Sequence, residues 1–191
     1  MKRIALAGGA SCGKTSLARH LITELYNNME PKRNAQQVTE FARDFINECR
    51  RANNGEFIPY FADQQMFFQE QLRREESLDT NKVEFMITDS PIFLSIIYAW
   101  PMVNPHSFQH RQWYLKLYEQ WLAKHVYRYD HIFVLAREQE FFHDGTRGGT
   151  LEGAEDIHER VLGFLRYHEL PFIHIDGTDK ERVGKVLECI L

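Results

Sequence analysis

The sequence predicts an α/β fold: a five-stranded parallel sheet with helices on both faces and one long irregular insert. Short apolar segments alternate along the chain with longer stretches of helical periodicity, the pattern of repeated strand–helix–strand crossovers. The first apolar segment runs directly into the glycine-rich stretch Gly8-Gly9-Ala10-Ser11-Cys12-Gly13-Lys14-Thr15-Ser16. The segment "KVEFMITD", residues 82–89, is nearly all apolar before its final acid, as expected of a strand covered by helices on both faces.

Strand one is "KRIALA", residues 2–7, with Ile4 and Leu6 for the core. The helix from Lys14 onward carries Leu17, Ala18, Leu21, Ile22 and Leu25 at helical spacing. "AQQVTEF", 35–41, reads as strand two, and "ARDFINECRRA", 42–52, as the helix after it, stopped by Asn53-Asn54-Gly55. Residues 58–78 predict a helix with glutamines and aromatic residues on different faces. The cluster Phe57, Tyr60, Phe61, Phe67 and Phe68 reads as core ahead of a platform for stacking a base. "KVEFMITD", 82–89, is strand three; Ser90 is placed to cap the next helix and Pro91 to open it. After "WPMVNPHS" a long helix puts Leu115, Tyr118, Leu122 and Val126 on one face, and "HIFVLA", 131–136, is strand four.

Residues 137–153 break the pattern with glycines and charges and form the insert. Ile157, Val161, Phe164 and Leu165 mark a further helix, "PFIHIDG", 171–177, strand five, and Val183, Val186, Leu187 and Ile190 the last helix. Thr178 and Glu181 form a capping-box pattern at its start. Neither an internal repeat nor a linker interrupts the series, so a single domain over 1–191 is expected.

Composition limits the function classes. At 191 residues, 43% hydrophobic and 26% charged, the chain is globular in composition. Its 23 Lys and Arg against 27 Asp and Glu give a net charge of −4, which is no footprint for bulk nucleic acid. The basic pairs Lys32–Arg33, Arg50–Arg51 and Arg73–Arg74 can still line one groove, although solvated helix faces are their commoner use. Cys12, Cys49 and Cys189 are few and far apart, which reads as free thiols in a reducing compartment. The opening segment is too short and glycine-interrupted for a secretion signal, and "IFLSIIYAW" is too short to span a bilayer. A cytoplasmic protein with no membrane partner is expected.

The chemistry begins at the glycine-rich stretch. Gly8, Gly13, Lys14 and Thr15 fit G-x-x-x-x-G-K-[ST], in which backbone N–H groups surround phosphate oxygens and the lysine adds a mobile cation. The threonine hydroxyl suits Mg²⁺, and the helix dipole points at the same phosphates. ATP and Mg²⁺ are the cofactors this implies; Cys12 needs no special chemistry there. In a parallel sheet, ligands gather beyond the carboxyl ends of the strands. Strand two ends in Glu40, strand three in Asp89, and strand four runs into Arg137 and the loop carrying Arg147.

Phosphoryl transfer needs a metal, a group that positions or deprotonates the nucleophile, and a cation over the transferring group. Asp89 is the candidate for holding Mg²⁺ with Thr15, the competing role being a helix cap. Glu40 is the candidate base for an acceptor hydroxyl, the competing role being a salt bridge with Arg43. Arg147, between glycines, is the candidate lid arginine, with Arg137 second. "NKVE", 81–84, is unlike a guanine-selecting motif in its last residue and precedes its strand, which disfavours a GTPase switch.

"TEFARDFI", "ITDSP" and "HDGTRGG", in this order after "GGASCGKTS", resemble the small P-loop kinase family typified by the ribosylnicotinamide kinase domain of the bifunctional NAD-biosynthesis regulator. The resemblance implies a P-loop kinase-like fold, ATP as donor and a lid. It also implies phage-encoded relatives, some similar to kinases of a hydroxymethylated pyrimidine in DNA. Glu40-x-x-Arg43 is similar to the acid-x-x-Arg of polynucleotide 5′-hydroxyl kinases, with Glu where that pattern has Asp; there the arginine contacts an acceptor phosphate. The expected acceptor is therefore nucleoside- or nucleotide-like, free or within DNA. An ATP-driven regulatory module without an acceptor is the alternative of another class.

Overall fold

The computed structural model of the chain describes residues 1–78, 80–136 and 151–191. Five strands, β1 (Lys2–Ala7), β2 (Ala35–Val38), β3 (Phe85–Thr88), β4 (His131–Leu135) and β5 (Ile173–Ile175), form one sheet in the order β2-β3-β1-β4-β5. Every pair is parallel. The helices are α1 (Lys14–Thr23, running into a π-helical turn Glu24–Asn28), α2 (Phe41–Ala52), α3 (Asp63–Glu76) and α4 (Phe93–Ala99, closing with a 3₁₀ turn Trp100–Met102). They continue with α5 (Phe108–Lys124), α6 (Leu151–Tyr167) and α7 (Asp179–Ile190).

The period-2 alternation of β1 and β4 builds two cores. Ala5, Ala7, Ile132 and Val134 face α4, α5 and α6, where Phe93, Ile97, Trp121 and Leu165 are buried. Ile4, Leu6, Phe133 and Leu135 face α1 and α7, against Leu17, Leu21, Val186 and Ile190. The chain leaves β1 for β2 and β3 on one side and for β4 and β5 on the other, so the strand order reverses at β1. A crevice for ligands forms beyond the carboxyl ends at such a point.

Several boundaries differ from the expectation for identifiable reasons. β2 stops at Val38, two residues before Glu40, because the Phe41 N–H donates to Gln71 Oε1 at 2.9 Å instead of extending a ladder. Glu40 is thus the residue before α2. α3 starts at Asp63, after Pro59 disfavours helix at Ile58 and Asp63 accepts the Tyr60 N–H at 2.7 Å. Ser90 does not cap α4, whose preceding residue is Ile92. The Ile92 N–H donates instead to the Tyr129 hydroxyl at 2.8 Å, and that hydroxyl donates to the buried Glu75 at 2.9 Å.

On α5 the buried face is Leu117 and Trp121, while Leu115 and Leu122 are exposed. The last three residues of the expected insert, 151–153, already belong to α6. The Thr178–Glu181 capping box forms as read. Phe61, Phe67 and Phe68 are core, whereas Tyr60 is exposed. The three cysteines are free. Among the described residues no helix is long and apolar enough to cross a membrane.

Candidate active site

The loop between β1 and α1 holds three residues at positive φ: Gly8 at 131°, Ser11 at 58° and Gly13 at 89°. Such left-handed positions let successive N–H groups turn toward one anion. A Cβ on Gly8 would stand 3.0 Å from the Leu135 carbonyl and 3.1 Å from Cys12 Sγ, so β4 and the loop itself exclude any other residue. Lys14 is buried, and its ammonium donates to the carbonyls of Gly9 at 2.6 Å and Gly8 at 3.1 Å. Cys12 is buried as well and bonds the Gly9 carbonyl, a packing role in line with the sequence reading. Ala10 is half-buried, and Ser16 is exposed on the first turn of α1.

The loop is held from below by a residue the motifs did not reveal. Arg182 on α7 is 1% exposed; its guanidinium donates to the Cys12 carbonyl at 2.9 Å and to the Ala136 carbonyl at 3.0 Å. It therefore ties the phosphate loop to the end of β4. The available signal was an arginine on the face Val183, Val186, Ile190 of an otherwise apolar helix stripe. Arg182→Met, which keeps most of the volume, should lower stability by about 2 kcal/mol, the scale of a hydrogen bond to a charged group. It should also raise the KM for ATP roughly tenfold, each value of 1.4 kcal/mol being one decade. Denaturant melts and ATP titration check the two effects, and a variant with unchanged ATP dependence would show that Arg182 serves packing alone.

Four of the candidate residues form one connected line. Thr15 Oγ1 donates to Asp89 Oδ2 at 2.5 Å. Arg43 Nη1 donates to the same hydroxyl at 3.2 Å, and Arg43 Nη2 pairs with Glu40 Oε2 at 3.2 Å. The salt bridge weighed against a catalytic Glu40 is therefore present, but it is one link in a series that reaches the phosphate loop. Asp89 does not cap a helix; it is 2% exposed, and its Oδ1 has no hydrogen-bond partner among the described residues. A buried carboxylate oxygen without a partner, beside a threonine hydroxyl, is a donor set that fits a hard cation. Among the described residues no three His, Cys, Asp or Glu side chains gather to hold a metal by themselves. Mg²⁺ at this place would take Thr15, Asp89, phosphate oxygens and water.

Gln71, another residue not singled out from the sequence, fixes the two acids relative to each other. It is 3% exposed on α3, accepts the Phe41 N–H next to Glu40 and donates to Thr88 Oγ1, next to Asp89, at 3.3 Å.

Beside this line lies a cavity of about 360 Å³, a size usual for small-molecule sites. Ala10 of the phosphate loop and Glu40 stand on its wall. Ala42, Ile46 and Arg50 contribute one face of α2, Ile58 and Pro59 the loop that follows, and Gln64 and Phe67 the start of α3. Tyr98 of α4 and Ala154 and Ile157 of α6 complete most of the lining. The surface is mainly apolar with a few polar groups. Burial, and to a lesser degree nearby Cys12, push the Tyr98 hydroxyl up to about 12, so it stays a proton donor at neutral pH.

A family profile described as AAA domain matches residues 3–182. The chain belongs to this AAA domain family. The crystal structure of NadR protein in complex with NR shares the fold of this AAA domain at a TM-score of 0.75 and 21% identity. That superposition covers 98% of the present chain and 51% of the NadR chain, so this AAA domain spans about half the length of its structural neighbour. No curated protein sequence matches it. The α/β P-loop kinase-like fold expected from the sequence is thereby shown, while at this identity the likeness carries no substrate.

Of the residues expected to serve the site, the AAA domain brings together Lys14, Thr15, Glu40, Arg43 and Asp89. Arg137 and Arg147 lie outside the described residues. Arg50, read as part of a basic pair, is a cavity residue whose Nε donates to the Phe57 carbonyl at 3.2 Å. Gln64 and Tyr98 had no motif to mark them.

Proposed function

We propose that the chain, as a single domain over 1–191, is an ATP- and Mg²⁺-dependent kinase that transfers the γ-phosphoryl group to a hydroxyl of a nucleoside-like acceptor. The observation that carries this reading is the cavity: a half-open, mainly apolar site whose wall holds both Ala10 of the phosphate loop and the Glu40 carboxylate. An ATP-driven module without an acceptor has no need of such a compartment.

In this reading the loop from Gly8 to Ser16 cradles the phosphates, and Lys14 neutralises charge on the oxygens that leave or transfer. Thr15 and Asp89 would hold the cation through a hydroxyl and a carboxylate. Bound Mg²⁺ would supply charge neutralisation for the phosphates. Glu40 accepts the proton of the acceptor hydroxyl at Oε1 or Oε2, and Arg43, paired with Oε2 at 3.2 Å, positions that carboxylate. An acceptor seated against the apolar wall would displace water from the transferring group and so favour transfer over hydrolysis. Arg147 is assigned the cation over the transferring group on its sequence setting between glycines.

A free acceptor is favoured over DNA by the fate of three of the six residues in the basic pairs. Arg33 pairs with Glu84 at 3.0 Å, Arg73 with Glu70 at 2.7 Å and Arg74 with Asp44 at 2.7 Å, so local acids already offset them. Acceptor KM should therefore be nearly independent of salt, and the double Arg73→Ala, Arg74→Ala variant should stay within about twofold of wild type. Binding of an acceptor embedded in DNA would instead show a log–log salt slope of roughly −0.7 to −0.9 per phosphate contacted. Labelled ATP offered with nucleosides, nucleotides and DNA carrying modified bases tests the function itself. Label that appears only in inorganic phosphate would overturn it.

A further inference from the structure

A cavity that selects one nucleoside must read its ring by hydrogen bonds, because apolar walls discriminate only shape and size. Two glutamines two turns apart on α3 make an internal comparison. Gln71 is 3% exposed and its amide is used on both sides, by the Phe41 N–H and by Thr88 Oγ1. Gln64 is 5% exposed, lines the cavity, and its amide makes no hydrogen bond to any described residue. That amide opens on the cavity, where its one acceptor and two donors are available to a ligand. Phe67, one turn on, supplies a flat apolar wall of the same cavity, and edge contacts with Phe41 and Phe45 at 6.1 and 5.7 Å hold its ring.

We propose that Gln64 reads the base of the acceptor, and that the acceptor class is a nucleoside whose planar ring presents a hydrogen-bond donor and acceptor side by side. A carboxamide substituent or the amide-like edge of a nucleobase has this arrangement, and a side-chain amide pairs with it through two parallel bonds. The proposal rests on the kinase reading only for the identity of the site. A carboxylate in place of the carboxamide, or a ring lacking its amino group, leaves one side of Gln64 unpaired and is rejected.

The test is calorimetric binding of matched probes to the whole chain: ribosylnicotinamide against ribosylnicotinic acid, cytidine against its 4-deamino analogue, adenosine against purine riboside, and ribose alone. Wild type should bind the amide-edged member of at least one pair about tenfold or more tighter than its partner. Gln64→Leu should bring that ratio close to one, and the isosteric Gln64→Glu should weaken the carboxylate probe further. A ratio within one variant does not depend on how much of the protein is folded. Absence of discrimination by wild type in every pair, an unchanged ratio in both variants, or ribose binding as tightly as the best nucleoside would each overturn the assignment. A parallel transfer assay keeps the two readings apart. Edge-dependent binding without transfer from ATP sinks the kinase and leaves Gln64 as the reader, whereas efficient transfer without edge dependence sinks Gln64 alone.

Discussion

Replacing Lys14 with methionine should lower the rate of phosphoryl transfer on the order of 10²- to 10³-fold, the cost of losing one preorganised donor to developing charge. Lys14 is buried, and its ammonium is held by the Gly8 and Gly9 carbonyls inside the loop. Its charge therefore sits where phosphate oxygens must lie. Methionine keeps the length of the side chain and the apolar part of its packing but leaves the Gly8 and Gly9 carbonyls without their charged donor, so a stability loss of about 2 kcal/mol, as for Arg182→Met, should accompany the loss in kcat and ATP affinity. An arginine at the same position keeps the charge but brings a larger head group to a buried position already bonded to the Gly8 and Gly9 carbonyls. Lys14→Arg should accordingly be impaired too, though less. A methionine variant with normal turnover would remove the phosphate loop from the mechanism.

The second large effect separates the two acids. Glu40→Gln should reduce the chemical step by about 10²- to 10⁴-fold at saturating Mg²⁺, the range for a missing general base. ATP affinity should change little, because Glu40 stands on the cavity wall and is linked to Thr15 through Arg43. Asp89→Asn should raise the Mg²⁺ concentration needed for half-maximal rate by about tenfold and recover part of its rate at high Mg²⁺, since an amide oxygen is a weaker ligand than a carboxylate. Because Asp89, Thr15, Arg43 and Glu40 share one bonded series, the double variant should lose less than the product of the single losses. Initial rates over a Mg²⁺ series, with ATP binding measured separately, decide the matter. Identical Mg²⁺ profiles for the two variants would show the roles to be divided wrongly.

The sequence by itself determined what depends on neighbours along the chain or on strand direction. The phosphate loop is legible because Gly8 to Thr15 are contiguous and their required backbone angles are local. Glu40 and Asp89 are legible because, in a parallel sheet, residues just past different strands arrive at one edge. Thr15 and Asp89 are 74 positions apart and still meet. Even the three-residue shortening of β2, from 35–41 to Ala35–Val38, leaves Glu40 on that edge.

Only the tertiary structure decided which face each helix turns to the site. α5 carries Trp113, Tyr114, Leu115, Leu117, Tyr118, Trp121 and Leu122, apolar almost all round, so spacing alone cannot choose a buried stripe; packing buries Leu117 and Trp121 and leaves Leu115 and Leu122 in solvent. Gln64 and Gln71 look alike in sequence, and what distinguishes them is that one meets Phe41 and Thr88 while the other meets the cavity. Arg182 became a brace of the phosphate loop only because α7 packs on α1, 170 residues from the Cys12 carbonyl it holds. These roles arise from contacts between elements remote in the chain, and a side chain's partner across such a gap is set by how the helices dock on the sheet, a degree of freedom that periodicity leaves open.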